Sequence, residues 1–140
     1  WAFKEYDILE LASKLKSHSY ISYETVLQRA GIIFQNYEHT ITLASNNTLT
    51  KKIKWYDFVY HKIRDSILTN PIGIINHNNT YMIASPERAI CDTVYLYNTI
   101  VFDNLRPLQT EKIQEIAYIY PKKTFLLLME LIKNVESSTT

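Results

Sequence analysis

Two hydrophobic periods divide the chain. Up to about residue 35, and again from residue 85, apolar side chains recur every three or four positions; between those stretches they alternate. Residues 7–17 set Ile8, Leu11, Ala12 and Leu15 on one helical face, with Lys14 and Lys16 near the end where cations suit the helix dipole. A second helix is expected after Tyr20-Ile21. Ser22 can cap it, Val26, Leu27 and Ala30 form its inner side, and Gly31 supplies a stop. The pair has the outline of a helix-turn-helix, but the second helix is short and carries few basic groups to enter a groove.

The period becomes two at His39-Thr40-Ile41-Thr42-Leu43, and Asn46-Asn47 ends that run. Residues 53–63 form a longer strand pattern. Tyr56, Phe58 and Tyr60 lie on one side of it and Trp55, Asp57, Val59 and His61 on the other, with a bulge or turn near Tyr56-Asp57. Ile72–Ile75 and Thr80–Ile83 flank His77-Asn78-Asn79, whose asparagines favour a tight hairpin. Sequential hairpins predict a small antiparallel sheet.

Ser85-Pro86 then opens a helix, with proline at the first helical position, where a missing N–H costs nothing. Ala89, Ile90, Thr93, Val94 and Tyr97 share its inner face, and Glu87, Cys91 and Tyr95 define a flank. Asn98–Pro107 reads as a connection pinned to the core by Val101, Phe102 and Leu105. Further helices are expected over 110–119, on Ile113, Ile116 and Ala117, and over 122–134, on Phe125, Leu128, Met129, Leu131 and Ile132, with Pro121 between them. The closing Ser-Ser-Thr-Thr should fray. No repeat and no linker divides the chain. The expectation is a single α+β domain over 1–140: helical over 1–35, sheet-rich over 36–84, helical over 85–140.

Composition narrows the chemistry. The 140 residues are 46% hydrophobic and 21% charged, enough to build a core without a metal or disulfide staple. The two glycines, Gly31 and Gly73, leave little for a phosphate-cradling loop. Cys91 is the single cysteine, which rules out an intrachain disulfide. No signal pattern and no long apolar run appears, so the cytoplasm is expected and a membrane partner is not. The net charge of +1 exerts no whole-molecule pull on nucleic acid. Locally, Lys51, Lys52, Lys54, Lys62 and Arg64 face only Asp57. With Tyr56 and Tyr60 they make a candidate patch for nucleic acid or an acidic partner. Its plainer reading is a lysine-guarded strand edge.

Glu87, Arg88 and Asp92 form the second candidate. Arg88 and Asp92 stand four apart and can pair along the helix, and the guanidinium fork suits a carboxylate or phosphate. Partner binding and bracing of the helix against the sheet are the two roles open to them. Catalysis finds less support. His18, His39, His61 and His77 lack metal-ligand spacing, and Asp92 beside Cys91 projects about 100° away and supplies no base. Asp57, Asp65 and Asp92 are too dispersed for a metal-dependent nuclease. No cofactor, metal or catalytic residue is therefore expected.

Several of these segments occur in an order that resembles the AbiEi-like antitoxins of type IV toxin–antitoxin systems. Tyr20-Ile21-Ser22-Tyr23-Glu24-Thr25-Val26-Leu27 resembles the family's Tyr-Ile-Ser-x-Glu-x-x-Leu segment, and Gly31-Ile32-Ile33 follows it. Thr40-Ile41-Thr42, Phe58-Val59-Tyr60-His61-Lys62-Ile63 and Ile83-Ala84-Ser85-Pro86-Glu87-Arg88-Ala89, continuing through Asp92 to Tyr95-Leu96, complete the series over residues 20–96. Phe34-Gln35 departs from the family's Pro-Glu, and Ala44-Ser45 from its Ser-Val-Thr ending. The resemblance implies a non-enzymatic antitoxin or regulatory domain that opposes a nucleotidyltransferase-like toxin and contributes to operon repression. It matches the portion after the family's usual N-terminal winged helix. DNA contact would then fall chiefly to an upstream domain, and the partner would be a cognate toxin or other protein, with room for a homo-oligomer. A DNA-binding transcriptional regulator is the alternative.

Overall fold

The computed structural model describes residues 5–34 and 38–138. Helix α1 spans Glu5–Lys14, strand β1 Tyr20–Ile21 and helix α2 Glu24–Arg29. Strands β2 (Thr40–Ser45), β3 (Leu49–Ile53) and β4 (Tyr56–Lys62) follow, then the short helix α3 (Asp65–Leu68). Strands β5 (Ile74–His77) and β6 (Tyr81–Ala84) lead into helices α4 (Pro86–Tyr97), α5 (Thr110–Ala117) and α6 (Lys122–Ser138). The architecture is α+β. No helix among the described residues is long and apolar enough to cross a membrane.

The sheet is mixed, where consecutive hairpins predicted an antiparallel one. Its order is β3-β4-β2-β1-β6-β5, with β2 parallel to β4 and β1 parallel to β6. The long strand expected over 53–63 is instead two strands, folded at Lys54-Trp55 rather than at Tyr56-Asp57. Lys54 takes φ 57° there, in a loop with no glycine to relieve it. Strand β4 lies between β2 and β3. The physical reason is its content: Phe58 and Tyr60 are fully buried, and a central strand can cover both flanks, whereas β3 carries two lysines and belongs at an edge. The other hairpin agrees with its sequence signal. Asn78 and Asn79 take φ 50° and 60°, and Thr80 N–H donates to His77 O at 2.9 Å.

Register assigns the faces. Tyr60 lies beside Leu43 of β2, and Leu43 beside Ile21 of β1. On this face α1 packs with Ile8, Leu9 and Ala12, and the Tyr60 hydroxyl donates to Ala12 O at 2.5 Å. The opposite face presents Thr42, Ala44 and Tyr20 to α2 and α4. There Thr42 N–H donates to Thr25 Oγ1 at 2.8 Å, and Thr42 Oγ1 donates to Ser22 O at 2.6 Å. Helices α5 and α6 cover the outer side of α4. The last helix runs beyond its expected end to Ser138, and Thr139-Thr140 lie outside the described residues. Leu128 and Leu131 of that helix are buried within the chain.

Two expected contacts differ. Val101 is 83% exposed and pins nothing, while Phe102 and Leu105 do pack on the core. Tyr97 is half exposed rather than inward, because α4 ends there on Asn98 in the left-handed conformation (φ 56°).

Candidate functional site

The centre of the molecule is polar. Helix α4 starts as its sequence dictates, with Ser85 Oγ accepting from Arg88 N–H at 3.1 Å and Pro86 in the first turn. That start aims Glu87, Arg88 and Asp92 inward, and Arg88 and Asp92 have no exposed surface at all. Arg88 Nη1 donates to Asn70 O (3.0 Å) and Ile72 O (2.7 Å), and Nη2 donates to Ile67 O (2.7 Å) and the Tyr20 hydroxyl (3.0 Å). The guanidinium thus ties down the C-terminal end of α3, where Ile67 O also accepts from Asn70 N–H at 3.1 Å, and the loop after it. Gly73 makes this approach feasible: it has φ 75°, and a Cβ there would meet Arg88 Cβ at 2.9 Å.

Asp92 collects the remaining donors. Its Oδ2 accepts from Tyr20 and Ser22 hydroxyls, both at 2.8 Å, and its Oδ1 accepts from the Tyr120 hydroxyl at 2.5 Å. Arg88 Nε stands 3.5 Å from Asp92 Oδ1, which is a charge contact rather than a good hydrogen bond, so Nε has no hydrogen-bond partner. Tyr20 closes the circuit by accepting from Arg88 and donating to Asp92. Burial raises the Asp92 carboxyl above its ordinary range, against the pull of the Arg88 guanidinium and the three hydroxyls. Glu87 works separately: its Oε2 accepts from Gln109 N–H at 3.0 Å, holding the residue that precedes α5. These three side chains contact the protein's own interior. The arrangement braces β1, α3, α4 and the turn between α5 and α6.

Sequence reasoning missed half of this network. Ser22 does not cap α2; Tyr23 holds that position and makes no side-chain cap, because the Ser22 hydroxyl is spent on Asp92. Tyr20 and Tyr120 carry no local signal, being joined to Asp92 only by the fold. Burial pushes the Cys91 thiol well up, as for an inert core cysteine.

The basic patch does not form one surface. Register puts Lys51 beside Phe58 and Lys52 beside Asp57, on opposite faces. Lys51 Nζ donates to Leu15 O at 2.6 Å, past the end of α1, and Lys52 reaches Asp57 at 3.7 Å. Lys62 and Arg64 are exposed at the far end of β4, and Lys54 occupies the turn. Tyr60 cannot stack on a base, because it is fully buried, with its hydroxyl pushed up to about 12 by that burial. Tyr56 is half-buried and packs on His39 and Phe58, leaving Trp55, 59% exposed, as the aromatic at this edge. Among the described residues no group of histidine, cysteine or carboxylate side chains is arranged to hold a metal ion.

Among the described residues, at least two cavities open at the surface. One, of about 440 Å³, lies beside Tyr20 between Leu68, Pro71, Ile74 and Met82. The other, of about 470 Å³, lies between α2, the end of α4 and the connection after it, with Glu24, Tyr97 and Asp103 on its walls. Comparison with known proteins finds no matching family, no matching curated protein and no matching solved structure.

Proposed function

We propose that this chain is a non-enzymatic antitoxin or regulatory module, acting in the cytoplasm by occupying a nucleotidyltransferase-like toxin and contributing to repression of its operon. One observation carries the reading. The segments that resemble the AbiEi-like antitoxins, Tyr20–Ser22, Thr40–Thr42 and Ser85–Asp92, lie far apart in sequence yet meet around one polar centre through Tyr20, Ser22, Thr42, Arg88 and Asp92. Their residue types are those the brace needs: a guanidinium for carbonyls, a carboxylate for hydroxyls, and a tyrosine to bridge the two. Sealed in this way, the charged residues support surfaces that a partner can occupy and do not themselves act on a substrate.

The test is co-expression with a nucleotidyltransferase-like toxin encoded beside its gene. Growth should recover when the chain is induced, and the two proteins should co-purify. Undiminished toxicity in cells where the chain accumulates folded would overturn the proposal.

A further inference from the structure

The cavity at the end of α4 combines two features seldom found together by chance. Its walls are apolar and aromatic, from Leu27, Ile33, Phe102 and the half-exposed Tyr97, and two carboxylates, Glu24 and Asp103, stand among them. Among the described residues neither carboxylate takes part in an ion pair. Asp103 Oδ2 accepts from Phe34 N–H at 2.7 Å, which fixes that carboxylate at the cavity's edge. The Glu24 carboxylate is held by the Tyr97 hydroxyl and by its own backbone N–H, while Oε1 is shielded from solvent and has no hydrogen-bond partner among the described residues. A desolvated carboxylate oxygen without a donor is costly, and a charged donor that arrives with a binding partner would offset that cost. The aromatic walls select which donor. A planar guanidinium on an aliphatic stem can lie along Tyr97 while its fork reaches Glu24, and the stem covers the apolar surface below.

We infer that this cavity seats an arginine side chain of a protein partner. The inference rests on the protein-binding reading above and names the chemistry of the surface that reading requires. A partner docking here would present arginine from a basic face.

The probe is N-acetyl-arginine amide, titrated into the ¹⁵N-labelled full chain and followed by amide shifts at Glu24, Tyr97 and Asp103. The controls are N-acetyl-citrulline amide, matched in shape but uncharged, and Glu24→Gln protein checked for folding by thermal melting. Saturable shifts at these residues are expected, with affinity lower by roughly tenfold or more for citrulline amide and for the variant, the size of a charge-assisted bond. Absence of saturation at these residues, or equal binding of arginine and citrulline amides, would overturn the inference even if the variant fails to fold. The two proposals fail separately. Toxin neutralisation without arginine binding sinks the pocket alone, and arginine binding without neutralisation sinks the antitoxin reading alone.

Discussion

Arg88 illustrates how one residue type can carry an architecture. Four hydrogen bonds and one charge contact leave from a side chain without exposed surface. Lysine could not replace it, since a single ammonium cannot span three carbonyls and a phenol in a planar array. Removing one partner of a buried pair leaves the other uncompensated, so Arg88→Ala should cost about 3–5 kcal/mol of folding stability. Urea denaturation measures this; a midpoint equal to the wild type's would remove the bracing role. His61 belongs to the same scale. Burial against Tyr23 and Tyr97 lowers its pKa below the ordinary 6.5. The unfolded chain therefore binds the proton more readily, and the stability His61 contributes is present above 6.5 and lost as pH falls through the folded value. Glu24, raised by burial, contributes with the opposite sign at lower pH, so the comparison must be made between proteins. Thermal melting of His61→Gln should decline less than that of the wild type as pH falls from 7 toward 5. Parallel declines would refute the assignment.

At the scale of elements, β3 separates two lysines that sequence treats alike. Lys51 ties the sheet edge to the chain just after α1, and Lys52 makes a long surface contact with Asp57. Lys51→Ala should cost about 1 kcal/mol, the worth of one such charged hydrogen bond, while Lys52→Ala should stay within about 0.5 kcal/mol. Equal effects in chemical denaturation would argue against the register described. The same split weakens the edge as a phosphate-tracking groove, because cations on opposite faces cannot follow one backbone. Helix α4 is different in kind. Its cap, its proline and its left-handed Asn98 are all local features, and it has both ends where those features put them.

Over the whole molecule, helices cover both faces of a sheet in which two parallel contacts flank a central antiparallel one. The apolar core continues from α1 through the sheet to α5 and α6, and the Arg88–Asp92 centre is a polar inclusion within it. Such an inclusion contributes little net stability compared with hydrophobic packing, but it penalises any arrangement that leaves its donors unmet. That penalty is a means of selecting one alignment of β1, α3, α4 and the turn between α5 and α6.

Most elements were legible in the sequence because their causes are local: the period of the side chains, the Ser85-Pro86 start, and the asparagines at 78–79. Helix α3 and strands β1 and β3 were not, being short pieces whose pattern merges with their neighbours; β1 lies within the stretch over 1–35 expected to be helical. Strand order lay further out of reach. A period of two says which side chains share a face, but not which strand lies alongside, and the insertion of β4 between β2 and β3 follows from how much buried surface each can offer. Sequence alone also named Glu87, Arg88 and Asp92 as a unit and favoured bracing, with recognition left open. Only the tertiary structure brought Tyr20, Ser22 and Tyr120 to Asp92 and three carbonyls to Arg88, because hydrogen-bond partners tens of residues apart are chosen by distance in space.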